Sequence, residues 1–214
     1  MNEISTKERI LDVAERLFAE KGIKETSLRD ITNAVGVNCA AVNYHFGSKE
    51  GLIHAVITRR LEPLNKKRLR LLESYEAEAG KNPVSLERIL YAWIAPSIEL
   101  YLKNPHFMGI AGRIISDPNK ELYPFFVPQF EQIFLRFKDS LMRALPSLPE
   151  RELLLRMLFI LGAMIHTWTN YSDLERFSSG HWPQTIGEEV TESLINFCAA
   201  GLQAPFPTQT GETP

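Results

Sequence analysis

Residues 37–52, VNCAAVNYHFGSKEGL, are the stretch of sequence that decides the fold. Ahead of Lys49 the stretch carries no formal charge when its histidine is counted as neutral, and it is too polar for a core strand. Asn38 is a residue type that caps helix N-termini, and Gly47 is a type that ends helices. A short helix is therefore predicted between Asn38 and Phe46, and a further helix is predicted to start directly after the glycine.

Two more helices are predicted ahead of this stretch. The first runs from about Thr6 to Lys21, since apolar residues recur there at three- and four-residue spacing and a glycine follows. A shorter one begins after Ser27 and ends at Gly36. Because the turn between this short helix and the next contains the sequence AVGV, the pair has the shape of a helix-turn-helix.

Helical patterns continue toward the end of the chain. The fourth helix is capped by Ser48 and continues past Ile57, with a kink expected at Pro63, and the sequence AEAGKNP at residues 77–83 is typical of a loop. Five further helices are predicted, at about 85–103, 105–116, 127–145, 149–172 and 185–202. The tail of residues 203–214 is predicted to be disordered.

Four stretches match the capping box of helix starts: Ser5–Glu8, Ser27–Asp30, Ser147–Glu150 and Thr185–Glu188.

Composition narrows the class of protein. With 214 residues, of which 44% are hydrophobic and 23% charged, the chain is typical of a soluble globular protein. No apolar run is long enough to span a bilayer and no secretory leader is recognised, so a cytoplasmic location is expected. Cys39 and Cys198 are expected to be reduced thiols. The five histidines lack metal-ligand spacing and no phosphate-binding glycine loop occurs, so no enzyme, metal or cofactor is expected.

One face of the third helix is predicted to contact DNA bases. Val42 and Phe46 lie four residues apart and can pack on the preceding helices. The other face presents Cys39, Ala40, Asn43 and Tyr44. Small side chains at the start of a recognition helix let its backbone enter the major groove, where Ala40 and Ala41 can contact thymine methyl groups. The amide of Asn43 can form a bidentate bond to adenine.

Positive charge is needed beside the phosphates rather than at the base edges. Lys49 lies in the first turn of a helix, where it opposes the helix dipole unless an anion such as a DNA phosphate binds there. Tyr44 and His45 can donate to neighbouring phosphates. Thr26 and Arg29 can do so from the second helix. The first sixty residues contain nine Lys and Arg against eight Asp and Glu, so binding must depend on arrangement. Plain packing of a helical bundle is the alternative.

The region RILDVAERLFAEKGIKETSLRDITNAVGVNCAAVNYHFGSKEGLIHAV, residues 9–56, resembles the TetR family of bacterial transcriptional regulators. It carries G-x-x-x-T-S before the second helix, A-x-G-V in the turn and Y-H-F-x-S-K-x-x-L after it. The resemblance implies DNA binding, with Cys39, Ala40, Ala41 and Asn43 at base-facing positions and Thr26, Arg29, Tyr44, His45 and Lys49 at phosphate-contact positions. Many members carry an aromatic residue where this chain has Asn43, so their operator sequences do not transfer.

Aromatic residues of the later helices predict a ligand pocket. Its candidate residues are Trp93, Tyr101, Phe107, Arg113, Phe130, Phe134 and His166. Aromatic residues at helical spacing also fit an ordinary core, and Arg113, flanked by small and apolar residues, would need an anionic partner if buried. That partner is either an internal glutamate, Glu99 or Glu131, or the carboxylate of a ligand. The spacing in LPERELLLRMLFILGAMIHTW resembles the PsrA-like fatty-acid-responsive regulators, which implies an apolar pocket for an acyl chain with a polar end.

The last two helices are predicted to form a homodimer. Helices that are apolar on more than one face need a partner beyond their own domain. The candidate interface residues are Gly162, Ala163, Leu194, Phe197 and Gly201. A two-fold dimer would present two recognition helices to a palindromic DNA site.

The sequence therefore predicts an all-α chain with an N-terminal three-helix helix-turn-helix domain and a helical-bundle domain for ligand binding and dimerisation. The DNA-binding domain is assigned to residues 1–52 and the second domain to residues 53–202, with the fourth helix connecting them from about residue 49. The predicted function is that of a ligand-responsive transcriptional regulator, a repressor released from a palindromic operator by a small apolar effector such as a fatty acid or acyl-CoA.

Two other functions fit the same residues. One is a regulator that senses an aromatic or drug-like compound, and the other is a helical protein-interaction module without DNA binding. The expected partners are a double-stranded DNA operator, a small apolar effector and a second copy of the chain, with no membrane.

Overall fold

The computed structural model describes residues 5–116, 121–178 and 187–206, and within them the chain is helical and contains no β-strand. The helices are α1 (Thr6–Lys21), α2 (Leu28–Val35), α3 (Cys39–Phe46), α4 (Lys49–Ala79), α5 (Leu86–Lys103), α6 (Pro105–Ser116), α7 (Tyr123–Phe126), α8 (Pro128–Ala144), α9 (Glu150–Asn170) and α10 (Glu188–Gln203), with a 3-10 helix at Tyr171–Phe177. The predicted all-α class, with a helix-turn-helix followed by a helical C-terminal part, is confirmed.

The first three helices begin and end where the sequence predicts because local side chains and glycines define their ends. The hydroxyl of Ser5 accepts a hydrogen bond from the backbone N–H of Glu8 at the start of α1. Ser27 and Asp30 form a reciprocal capping box at the start of α2. Gly36 ends α2 in the left-handed conformation, at φ 79°, which glycine adopts without a steric cost.

Other predicted boundaries are wrong. α4 continues to Ala79, three residues into the predicted loop. Pro63 lies inside α4, and the kink expected there stays a prediction. α9 begins after Pro149 without a side-chain cap, so Ser147 does not form the predicted capping box. The four-residue helix α7 was not predicted, because two prolines and a short aromatic run give no helical periodicity.

The predicted disorder of the tail is wrong for residues 203–206. Gln203 is the last residue of α10, and Phe206 packs against buried apolar side chains. The remainder of the predicted tail, residues 207–214, and the predicted cap Thr185 lie outside the described residues.

Buried apolar side chains form two clusters. The N-terminal cluster combines α1 to α3 and the first part of α4 with α6 and α7. The C-terminal cluster combines the rest of α4 with α5, α8, α9 and α10. From α6, the N-terminal cluster receives Phe107, Ile110 and Ile114. Helices far along the chain therefore complete the core on which the recognition helix α3 stands.

Close contacts hold α4 against the helices before it. The carboxylate of Glu15, almost wholly buried, accepts from Arg59 Nη2 at 2.7 Å and from Arg60 Nε at 2.9 Å. Gly51 lets the start of α4 approach α3, since a Cβ atom at this position would lie 2.0 Å from the carbonyl oxygen of Phe46. The orientation of α3 is thus tied to the first turn of α4.

Candidate nucleic-acid interface and effector region

The recognition helix α3 presents one face to solvent. The side-chain oxygen of Asn38 accepts from the N–H of Ala41 at 3.0 Å and fixes the start of the helix. Val42 is wholly buried and anchors α3 on the N-terminal cluster. The exposed residues are Cys39, Ala40, Asn43 and Tyr44, with Ala41 half-buried beside them. All four residues predicted to face bases are therefore accessible, and their contact with bases stays a prediction.

Four of the five residues predicted to contact phosphates are also accessible. Tyr44 is 85% exposed, and its ring meets the ring of His45 edge-on with centroids 5.0 Å apart. Arg29 is exposed on α2. Lys49 is half-buried, and its Nζ donates to the carbonyl of Lys24 at 3.1 Å. A phosphate at the start of α4 would compete with this carbonyl for the ammonium group.

The prediction for Thr26 is wrong. Its side chain is wholly buried, and its hydroxyl donates to the carbonyls of Gly22 at 2.7 Å and Leu17 at 3.2 Å. A hydroxyl satisfied inside the fold does not reach a phosphate. Thr26 instead fastens the loop before α2 to the end of α1, a role that its place in a sequence motif does not reveal.

Two arginines counted among the positive charges of the N-terminal half are held by carboxylates. Arg59 donates to Asp12 as well as to Glu15, and Arg60 makes two bonds to Glu15 at 2.9 and 3.1 Å. Burial alone would lower the pKa of Arg59, but the bonds from Glu15 and Asp12 raise it above its ordinary value. The positive charge free to meet phosphates is therefore smaller than the residue count indicates.

The residues predicted to line a ligand pocket are divided between the two clusters. Trp93 lies in the C-terminal cluster and meets the ring of Phe134 edge-on, with centroids 6.5 Å apart. Phe107 is wholly buried in the N-terminal cluster, and Phe130 packs against the same cluster. Tyr101 is the predicted pocket residue that contacts both clusters. The predicted residues thus belong to two separate packed regions.

Arg113 and His166 are exposed, contrary to the expectation of buried polar groups. Arg113 Nη1 donates to the carbonyl of Ala19 in α1 at 2.9 Å, so neither predicted glutamate is its partner. It lines a recess of about 260 Å³ between α1 and α6, and none of the other predicted pocket residues lines that recess. His166 Nδ1 lies 3.1 Å from the side-chain nitrogen of Asn170.

The arginine buried near the predicted pocket is Arg68 on α4, which sequence reasoning missed. It is 2% exposed, and its Nε donates to the carbonyl of Trp93 at 2.9 Å. Its terminal nitrogens donate to the side-chain oxygens of Asn65 and Ser97. Burial lowers the pKa of Arg68 to about 9, so it is still charged at neutral pH. Its four-residue spacing from buried Leu64 was the available sign of an interior position.

A second buried arginine joins α9 to α10. Arg156 is 6% exposed, and its Nε pairs with Glu152 at 2.9 Å. Its Nη1 donates to the carbonyls of Gly201, Leu202 and Ala204 at 2.8 to 2.9 Å, at the end of α10. These bonds satisfy carbonyl groups that have no partner inside the helix.

Large apolar side chains of α9 and α10 are exposed. Phe159 is 65% exposed and Phe197 70% exposed, and Leu154, Leu155 and Leu158 accompany them. Among the predicted interface residues, Gly162 and Gly201 are exposed and Ala163 is half-buried. Leu194 is instead buried in the C-terminal cluster, so its assignment to an interface is wrong.

Other chemically active side chains form no second site in the described part of the chain. Within residues 5–116, 121–178 and 187–206, no three His, Cys, Asp or Glu side chains are clustered as metal ligands. Cys39 and Cys198 are free thiols, and burial raises the pKa of Cys198 to about 11. By length and composition α9 could cross a membrane, a test that core helices of soluble proteins also pass.

Two family models match the chain. The model for bacterial regulatory proteins of the tetR family matches residues 10–56. The model for the tetracyclin repressor-like C-terminal domain matches residues 91–201, which is more than half of the chain.

Individual relatives match parts of the chain. The HTH-type transcriptional repressor KstR2 of Rhodococcus jostii is 38% identical over 55 residues, which are 26% of this chain and 27% of that protein. The HTH-type transcriptional regulator AcrR of Shigella flexneri is 37% identical over 83 residues, 39% of this chain and 37% of that protein. The chain thus matches less than half of the length of these curated relatives.

Among solved structures, the ketosteroid transcriptional regulator KstR2 of Mycobacterium tuberculosis has the same fold. Its TM-score is 0.62 at 21% identity, over 94% of this chain and 95% of that one.

Proposed function

We propose that the chain, which belongs to the TetR family, is a DNA-binding transcriptional regulator, and that it is a repressor acting as a homodimer on a palindromic operator. The exposed face of α3 carries this proposal, because Ala40 and Asn43 stand clear of the fold while Val42 anchors the helix. Small side chains there permit close approach of the backbone to the bases. The repressor would act in the cytoplasm, without a membrane.

The recognition helix α3 and the start of α4 would have different tasks. Asn43 would form hydrogen bonds with one base pair, which affects sequence preference. Lys49, at the start of α4, would exchange the carbonyl of Lys24 for a phosphate and raise affinity for all sequences.

Substitutions at these two positions test DNA binding. We expect Lys49→Ala to weaken binding to operator and random DNA alike and to flatten the salt dependence of the affinity. Asn43→Ala should relax preference at one base pair by about 1–3 kcal/mol. Lys66→Ala, on the exposed side of α4, is the control and should change neither quantity. An Asn43→Ala effect that is the same on operator and random DNA would contradict the base contact, and DNA binding left intact by both variants would favour a protein-interaction module.

The dimer would form through the exposed apolar residues of α9 and α10. Phe159 and Phe197 lie on these adjacent helices with most of their surface in water, which a second copy would remove. We expect Phe159→Asp to give a monomer in sedimentation and to lose tight operator binding. Leu102→Asp is the matched control, since Leu102 is also about half exposed but lies on α5. Monomeric wild-type protein would contradict this interface.

The effector is proposed to be a small apolar molecule, such as a fatty acid or acyl-CoA. It would enter among α4, α5 and α8, shift α4, and thereby change the separation of the two recognition helices. Half-sites lie about 34–36 Å apart for one DNA turn, so a displacement of a few ångströms would misplace one helix. The effector acts only through its different affinity for the two separations.

An aromatic or drug-like effector is the second candidate. The observation that favours it is the engagement of Arg113 with α1, which removes the arginine expected to bind an acidic ligand. Trp93 and the phenylalanine rings beside it would then receive the compound. Thermal-shift screening of fatty acids, acyl-CoAs and aromatic compounds, followed by operator release, separates the two candidates. Stabilisation by aromatic compounds alone would contradict the lipid effector.

A further inference from the structure

Arg68 lies at a junction of three helices. It projects from α4 to the carbonyl of Trp93 and the hydroxyl of Ser97, both on α5. Its neighbour Asn65, which accepts one of its bonds at 3.3 Å, donates in turn to the carbonyl of Gln129 in α8 at 2.6 Å. The guanidinium group is therefore at the point where α4, α5 and α8 meet.

The charge of Arg68 has no carboxylate partner among the described residues. Its three acceptors are a backbone carbonyl, an amide and a hydroxyl, all neutral. The nearby acid Glu99 instead pairs with Lys67 on the surface. A guanidinium has five N–H donors and these bonds use three, so donors remain for a further acceptor. A buried charge without a counter-charge is costly for a fold to keep.

Arg68 and its polar partners Asn65 and Ser97 lie between the two apolar clusters of the core. Along α4, Leu64 belongs to the N-terminal cluster and Leu72 to the C-terminal cluster, with Arg68 midway between them. Tyr101 and Trp168 contact both clusters, and the buried indole Nε1 of Trp168 has no hydrogen-bond partner in the described part of the chain. A molecule with a charged group in this layer would place its remaining length against apolar residues.

We propose that Arg68 binds the carboxylate of the effector, and that the effector is therefore an amphiphilic organic acid with an apolar chain. This inference deepens the proposed function and rests on it. The carboxylate accepts from the terminal N–H groups that Arg68 has in excess and supplies the missing negative charge. Asn65 and Ser97 then serve as neutral partners that hold the guanidinium in place while the site is empty.

Binding of matched ten-carbon amphiphiles tests the proposal. Decanoate, decanol and decylamine share one apolar chain and differ in charge, and calorimetry measures their affinity for the full-length protein without DNA. We expect decanoate to bind at least about tenfold more tightly than decanol, since a charge-assisted hydrogen bond is lost in the alcohol. Decylamine should bind most weakly. Equal affinities for decanoate and decanol in the wild-type protein would overturn the proposal.

Two substitutions locate the charge that makes this difference. Arg68→Met should abolish the preference for decanoate over decanol, whereas Arg68→Lys, which keeps the charge, should retain a reduced preference. Arg113→Met is the control, because Arg113 is exposed and bonded to α1, and it should leave the preference unchanged. A preference that survives in Arg68→Met would overturn the proposal. If Arg68→Met does not fold, the affinities of wild-type protein and of Arg68→Lys for decanoate and decanol still test the proposal.

Operator release separates this proposal from the proposed function. Release of operator DNA by decanol or by a neutral aromatic compound, with no effect of decanoate, would leave a ligand-responsive repressor and overturn the role of Arg68. Failure of the protein to bind DNA through Asn43 and Lys49 would instead overturn the proposed function, and decanoate binding would still be measurable.

Discussion

The junction of α9 with α10 and the junction of α4 with α5 each bury one arginine, but the groups that surround the two charges differ. Arg156 has the carboxylate of Glu152 at 2.9 Å and three carbonyls at the end of α10, where the helix dipole is negative. Arg68 has neutral acceptors alone among the described residues. The charge of Arg156 is therefore balanced by groups of its own chain. The charge of Arg68 is not balanced by any carboxylate among the described residues.

This difference indicates which buried charge is structural. A compensated arginine contributes to stability, because it fastens the last helix to the one beside it. An uncompensated buried arginine costs desolvation energy that no opposite charge in the fold offsets. Substitution of Arg156 should therefore reduce stability more than ligand binding, and substitution of Arg68 should reduce ligand binding more than stability.

The largest expected effect is that of Arg156→Met. It removes the donor to the three carbonyls and leaves Glu152 half-buried without a partner, so we expect the free energy of unfolding to fall by about 3 kcal/mol. Urea titration at fixed protein concentration measures it. A change below about 1 kcal/mol would show that the α9–α10 junction does not depend on this charge.

The next effect is a dependence on pH. The pKa of Arg68 is lowered by burial to about 9, against 12.5 for the ordinary group. Between these values the unfolded chain binds a proton that the folded chain has released, so the free energy of unfolding rises with pH. From pH 8 to pH 10 we expect wild type to gain about 1 kcal/mol relative to Arg68→Met, measured by urea titration at both pH values. A parallel pH course of the two proteins would contradict the lowered pKa.

Glu152→Gln removes only the carboxylate charge at the α9–α10 junction. The pair is spaced i, i+4 and Glu152 is partly exposed, so we expect a loss of no more than about 1 kcal/mol at neutral pH. The same titration compared with Arg156→Met shows how much of the arginine's effect comes from the α10 carbonyls. Equal losses in both variants would assign the whole effect to the ion pair.

The smallest expected effect is that of Arg68→Met at pH 7. Three hydrogen bonds to neutral groups are lost, but the desolvation of an unpaired charge is also removed, so we expect a net change within about 1 kcal/mol of zero. Thermal and urea unfolding without ligand measure it. A loss as large as that of Arg156→Met would show that Arg68 also stabilises the fold and that the two arginines do not differ in this respect.

The first three helices were predictable from sequence because their structure is specified locally. Ser5, Ser27 and Asn38 cap three helices through side chains that bond three residues ahead, and glycines end the same helices. Solvent-facing residues of α3 follow from helical spacing alone. Thr26 is the exception, since its burial depends on how the loop folds back on α1.

The helices from α4 onward were less predictable because tertiary packing decides which side of a helix is buried. Arg113 has apolar neighbours in sequence, yet Ile110 and Ile114 take the contact with the N-terminal cluster and leave Arg113 at its edge. Arg68 has charged neighbours in sequence, yet the stripe through Leu64 and Leu72 carries it inside. The sequence neighbours of Arg113 wrongly indicated that it is buried. The helical spacing of Arg68 from Leu64 and Leu72 would have correctly indicated that it is buried.

The uninterrupted course of α4 has a mechanical consequence. Its 31 residues span about 46 Å, and Arg68 lies about 29 Å along the helix from Lys49, at the end proposed to face DNA. A tilt of about 4° pivoting at Arg68 would sweep the far end through about 2 Å in each protomer. In a symmetric dimer the displacements of the two protomers would add. A movement too small to disturb the packing at Arg68 would therefore become a larger displacement at the end of α4 proposed to face DNA.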